Sequence, residues 1–424
     1  MTTSLHILVV GAVWPEPGTT AAGGRMLDLL SAMTEQGWQI TFASSAAVGE
    51  HSANLADKGI RCETIALNCS SFDRQLASWQ PDVVIFDRFM TEEQFGWRVS
   101  ETCPTALRVL DTEDLHCLRA VRQGQLKTAL KAGESGVPAA SLDSLSLFNA
   151  ITATDIGKRE IAAIYRCDLS LIIARFEMDL LQNRFGIPDF LLHYYPLNAP
   201  APLDPSPGFA ERADFVSIGG FQHAPNRDAV IWLKQAIWPR IRQRLPHARV
   251  HICGAYAPQA IAELHRPDQG FIIRGRVEDA VAELARARVS LAPLRFGAGI
   301  KGKLLASMAA GTPSVTTSIG RESIAPEEAW PGRVADSAEA LAEAAVTLHE
   351  EEDRWTAYQA TGFELLADDF NCNHSAAFVT RLTKHLAESD HYRQQNFTGA
   401  LLRHHHHQST RYMARWIEEK NRQR

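Results

Sequence analysis

The sequence predicts an α/β protein built from two tandem parallel sheets, each wound with helices, and three observations carry that expectation. Apolar, β-branched runs recur at intervals too long for hairpins. Helical periodicity fills several of the gaps between them. A proline-rich break then separates one such series from a second.

The first series places strands at residues 7–10, 40–43, 83–86, 107–110 and 169–174, with a helical pattern at 24–33 after the opening strand. The break, Asn198 to Gly208, carries Pro200, Pro202, Pro205 and Pro207, which resist helix and sheet alike and make a semi-rigid connector. The second series has strands at 215–218, 250–253, 271–273, 289–292 and 314–317, alternating with helices at 227–244, 280–287 and 303–310. Beyond Asp369 a helical segment at 375–386 has no following strand and is expected to pack back on the first domain. The expected division is therefore 1–198, a linker at 199–212, 213–368 and a helical tail at 369–424, with a cleft between the two sheets.

At 424 residues and 45% hydrophobic content the chain is too long for one ordinary core. A net charge of -6 argues against wholesale nucleic-acid binding and leaves any basic site local. The 7 cysteines are scattered and odd in number, which suggests neither a disulfide framework nor a zinc cage. The amino terminus opens directly on a strand, and no long apolar run follows anywhere, so a cytoplasmic protein is expected, at most peripheral to the inner face of a membrane.

The richest stretch is Pro293-Leu-Arg-Phe-Gly-Ala-Gly-Ile-Lys-Gly-Lys303, which reads as a strand end, a glycine loop and a helix entry, closed by Gly311-Thr-Pro313. Gly297 and Gly299 let backbone approach an anion, while Arg295, Lys301 and Lys303 bring cations to a helix mouth whose N–H groups are unpaired. Lys301 is read as an exposed cation. A second constellation follows the strand at 215–218: Gly219 and Gly220 offer bare backbone to a ligand, and His223, Pro225 and Asn226 mark a helix start that Asn226 can cap.

These segments, together with the strand at 250–253 and the proline-ended stretch Ala236-Ile-Trp-Pro239, resemble the group 1 glycosyltransferases of the GT-B fold. The likeness covers the second domain in order, and the first in outline only. It implies two Rossmann-like domains facing across a cleft, with a nucleotide-diphosphate sugar held by the second and an acceptor mainly by the first. It implies no cofactor and no metal, and retention rather than inversion. On that pattern Arg295 and Lys301 neutralise the leaving diphosphate, and Arg276 and Val277, after Gly275, lie beside the nucleobase. Many members carry two glutamates in the segment spanning Ala298 to Ala306, the second holding the ribose. This chain has alanine at both ends, and Glu322 is the nearest acid for that task.

In the first domain, His116 is a candidate to orient the sugar or take a proton, because an imidazole titrates in the useful range, or it is a hydrogen-bonded loop residue. Asp111, Glu113 and Asp114 are acceptor ligands or the cap of the next helix. Gly23, Gly24 and Arg25 close on the donor or simply begin a helix. Asp87-Arg88 and Glu177 lie at strand ends with no signal separating cleft from surface roles. Four histidines, His404 to His407, fan around a helix too widely for a good metal site. In the basic tail Tyr412, Met413, Trp416 and Ile417 share a helical face, which fits a protein partner, self-association or a membrane interface. The expected activity is transfer of a hexose to an unidentified acceptor, which could be glycan, lipid, protein or small molecule. The alternatives are a non-catalytic binding protein of the same fold that recruits a partner, and a UDP-sugar epimerase.

Overall fold

The computed structural model describes residues 4–370 and 374–422. In the first domain the strands are β1 His6–Gly11, β2 Gln39–Ser44, β3 Arg61–Thr64, β4 Val83–Asp87, β5 Leu107–Asp111, β6 Leu169–Ile172 and β7 Leu192–Tyr194. In the second they are β8 Ala213–Ile218, β9 Val250–Cys253, β10 Phe271–Gly275, β11 Ala287–Ala292, β12 Ser314–Thr316 and β13 Gly332–Val334. The sheets run in the orders β3-β2-β1-β4-β5-β6-β7 and β10-β9-β8-β11-β12-β13, and neighbouring strands pair parallel. This is the two-domain GT-B architecture. Each sheet reverses its strand order once, at β1/β4 and at β8/β11. The carboxyl ends of those strands open on one cleft, where open α/β sheets hold ligands.

Central strands are apolar on both faces because helices cover both: Ile7, Leu8, Val9 and Val10 are fully buried in β1. Three edge strands carried no usable signal. β3 reads Arg-Cys-Glu-Thr and is largely exposed, while β7 and β13 are 3 residues each. The expected helix at 227–244 is interrupted. Ala224–Trp232 passes through a π-helical turn, Leu233–Ile237, into Trp238–Arg244, because Pro239 has no N–H to continue the ladder.

After the second sheet the chain returns to the first domain. Phe378 and Leu382, in the helix His374–Ala387, are fully buried against Ile7, Val9 and Leu29. The last helix, Phe397–Arg422, follows the same body: Arg411 pairs with Glu101 at 2.8 Å and Ser70 donates to Glu418 at 2.6 Å. Tyr412, Met413 and Trp416 are exposed, but Ile417 is half-buried, so the four do not form one free face. His404 is exposed, and the side chains of His405 to His407 lie outside the described residues. Among the described residues no helix is long and apolar enough to cross a membrane.

The domains are tied by buried polar contacts. Arg122, fully buried in the helix His116–Lys131, donates to both oxygens of Glu322 at 2.9 and 2.6 Å and to the Gly297 carbonyl at 2.9 Å. Removing one partner of such a pair strands a desolvated charge. Glu322→Ala is therefore expected to lower stability by about 3 kcal/mol, read from chemical denaturation; a loss under about 1 kcal/mol would assign the pair to a solvated surface.

Candidate active site

The cleft between the domains encloses 840 Å³ and is walled by the ends of β1, β4, β5, β8 and β11 and the loops that follow them. On the second-domain side the glycine loop leaves β11 and enters the helix Gly302–Ala309. Gly299 has φ +66°, and a Cβ there would come within 2.9 Å of the Asp114 side chain and 2.8 Å of Ile173. Only glycine lets this loop turn and touch the first domain at once.

Lys301 is 8% exposed, against the expectation of an exposed cation. Its Nζ donates to the Gly299 carbonyl at 2.8 Å and lies 3.9 Å from Glu322, a carboxylate already engaged by Arg122. Burial pushes the ammonium down to about 8 despite Glu322. Lys303 donates to Asn226 Oδ1 at 2.6 Å, and burial pushes it down to about 7. Asn226 in turn donates to the Gly220 carbonyl at 2.8 Å. It therefore aims Lys303 and does not cap the helix, whose capping position is His223. A Cβ on Gly219 would fall 2.5 Å from Lys303 Nζ, so bare backbone there makes room for the cation.

Gly219, Gly220, His223, Asn226, Arg276, Val277, Gly297, Lys301 and Lys303 all line the cleft. Arg295 and Glu322 do not. The Arg295 guanidinium is bidentate to Asp228 at 3.0 and 2.6 Å, donates to Ser135 O at 3.2 Å and lies over the Trp232 ring. It braces the wall from behind and is not free to meet a diphosphate. Glu322 is likewise engaged as an interdomain strut by Arg122. Ala298 and Ala306 line the cleft as methyl groups.

On the first-domain side Gly23, Gly24, Arg25, Glu113, Asp114 and His116 line the cleft, whereas Asp111 is fully buried behind it. Asp111 accepts from Arg25 Nη1 at 2.7 Å with both oxygens, so it holds Arg25 and is not itself presented to a ligand. Gly23 N donates to Thr20 at 3.0 Å as an ordinary helix cap. His116 is 3.5 Å from Asp114, yet burial lowers its imidazole to about 4 against that pull. At neutral pH it is an uncharged hydrogen-bonding group, contrary to the expectation of a titration in the useful range.

Glu177 was the least conspicuous candidate and is among the most constrained. It is fully buried in the helix Arg175–Asp179, and Oε1 accepts from Leu115 N at 3.1 Å and from Gly299 N at 2.8 Å. One carboxyl thus joins the loop before His116 to the glycine loop of the other domain. Its spacing in the sequence, just after a strand, marked the cleft edge but not its partner 122 residues away.

Residues 212–351 match the family model described as Glycosyl transferases group 1, so the second domain is a glycosyltransferase domain of that group. Among solved structures the chain is similar to sucrose-phosphate synthase from Thermosynechococcus elongatus, at 15% identity and TM-score 0.65, over 91% of this chain and 100% of that one. HepE from Anabaena, in complex with UDP and glucose, shares 12% identity at TM-score 0.63, over 90% and 99%. WaaG, a glycosyltransferase involved in lipopolysaccharide biosynthesis, shares 11% at TM-score 0.60, over 88% and 98%. No curated protein is matched.

Two outcomes follow from these geometries. Burial raises Glu177 to about 8, so the folded protein keeps that proton while the unfolded chain releases it above the usual carboxylate range. This contribution to stability is complete at acid pH and is lost as pH rises through about 8. Glu177→Gln should melt like the parent near pH 5 and above it at pH 8, whereas parallel melting curves across that range would contradict the assignment. An anion brought to Lys301 and Lys303 must raise both ammonium groups. Calorimetric titration with UDP or GDP at pH 8, in HEPES and in Tris, should show uptake of about one proton per nucleotide, and no uptake would mean the lysines are not at the anion.

Proposed function

We propose that the chain moves a hexose from a nucleotide-diphosphate sugar to an acceptor held by the first domain, with retention at the anomeric carbon and without a metal. The carrying observation is the pair Lys301 and Lys303, recessed in the cleft wall at a helix amino terminus, whose hydrogen-bond partners are a carbonyl and an amide oxygen. Desolvated ammonium groups so placed favour a ligand that brings negative charge.

Breaking the bond between the anomeric carbon and the phosphate oxygen builds negative charge on the departing nucleoside diphosphate. Lys301 and Lys303 stabilise that charge more in the transition state than in the ground state. The acceptor oxygen bonds to the anomeric carbon on the face the phosphate leaves, and its proton passes to the leaving phosphate oxygen. His116, uncharged at neutral pH, suits orientation of a sugar hydroxyl more than storage of the proton. Two ammonium groups supply the positive charge a metal would otherwise bring. The UDP and glucose bound in the similar HepE structure support a sugar nucleotide here. Arg276 and Val277 lie on the same wall, on the side expected for the base. With Ala306 presenting only a methyl group, the ribose hydroxyls must find another acceptor.

The test is incubation with a panel of UDP-, GDP- and ADP-sugars. Slow release of nucleoside diphosphate from one or two donors is expected. Conversion to a new sugar nucleotide would identify an epimerase, and intact donors throughout would identify a binding protein. Lys301→Met, which keeps the buried stem, should lower release by about 100-fold, the size of losing one transition-state donor.

A further inference from the structure

The first-domain end of the cleft contains polar groups that the donor chemistry leaves unused. β4 and β5 are neighbours with Asp87 opposite Asp111, and Arg88 N donates to the Asp111 carbonyl at 2.7 Å. The chain leaves both strands through left-handed backbone, at Arg88 with φ +69° and Glu113 with φ +58°, an uncommon conformation for side chains of this size. Arg25 Nη1 is taken by Asp111 and, at 3.3 Å, by Glu113, and Nε donates to the Tyr195 carbonyl at 3.1 Å. Its Nη2 is buried with no partner. Asp87 accepts from Ala12 N at 3.0 Å through Oδ2, while Oδ1 is buried with no partner. Arg25 is 2% exposed and Asp87 4%, and both line the cleft with Arg88 and Glu113.

A buried donor and a buried acceptor left unmatched within one recess carry a desolvation cost that a ligand offering both kinds of group removes. Burial also raises Glu113 to about 8, in spite of Arg25, so near neutral pH its carboxyl can donate as well as accept. Adjacent hydroxyls of a sugar ring have that dual character. With Glu113 protonated, the carboxylates of Asp87 and Asp111 balance the guanidiniums of Arg25 and Arg88, so this end lacks the cationic excess that a phosphorylated acceptor would require.

We propose that this recess is the acceptor subsite, that it takes an uncharged carbohydrate, and that Glu113, with Arg25 and Asp87, holds the hydroxyl pair bearing the reacting oxygen. The assignment rests on the sugar-nucleotide reading of the opposite wall. It goes beyond that reading in naming the class of acceptor and the residues that select it.

The test supplies the donor that the enzyme hydrolyses together with methyl glycosides of glucose, galactose, mannose and N-acetylglucosamine, and in parallel sugar phosphates, a seryl peptide and a long-chain alcohol. The expected result is faster release of nucleoside diphosphate with at least one methyl glycoside, accompanied by a disaccharide product, and no acceleration by the other probes. Glu113→Gln and, separately, Asp87→Asn should raise the KM for that glycoside by about tenfold, the size of one lost hydrogen bond to a buried partner. The thermal shift given by UDP or GDP should remain. Acceleration by the phosphates, peptide or alcohol alone would overturn the carbohydrate assignment, as would no acceleration by any glycoside. An unchanged glycoside KM in both variants would overturn the placement. If the parent protein shows no thermal shift with either nucleotide, the failure belongs to the donor reading.

Discussion

Two ammonium groups recessed in the cleft wall, Lys301 buried and Lys303 half-buried, set the constraint around which the cleft is organised. Neither has a carboxylate at hydrogen-bonding distance: Lys301 reaches a carbonyl, and Lys303 an amide oxygen. Burial lowers both, to about 8 and about 7, because the recess solvates their charge poorly. The glycines around them are explained by the same constraint. Gly219 leaves space for Lys303, and Gly299 lets the loop carrying Lys301 press against the first domain.

Holding that loop is the task of groups from the other domain. Glu177 accepts from Gly299 N, and Arg122 donates to the Gly297 carbonyl while gripping Glu322. The first domain therefore shapes the glycine-loop backbone of the second. The same Glu177 oxygen fixes Leu115, next to His116, so the two walls of the cleft share one carboxyl as a spacer. Arg295 and Asp228 complete the frame from behind.

Much of the fold was legible because its physical causes are local. Buried parallel strands need continuous β-branched runs, glycine loops need flexible backbone, and prolines interrupt both elements. Short edge strands escaped because β3, β7 and β13 bury too little to leave a pattern. The cleft residues were legible as a set but not in their roles. Spacing placed Arg295 near Lys301 in the chain, yet which of the two side chains lines the cleft depends on an aspartate 67 residues from Arg295. The tie of Glu322 to Arg122 was hidden for the same reason, since the two are 200 residues apart. His116 was located correctly on the cleft, but its proton affinity is a property of burial, which no local sequence expresses.

The most direct measurement is a crystal structure of the protein soaked with UDP or GDP. The account predicts the β-phosphate in contact with Lys301 and Lys303 at the amino terminus of the helix Gly302–Ala309, with Arg295 still bound to Asp228. A nucleotide seated elsewhere, or a diphosphate gripped by Arg295 with both lysines turned away, would contradict it.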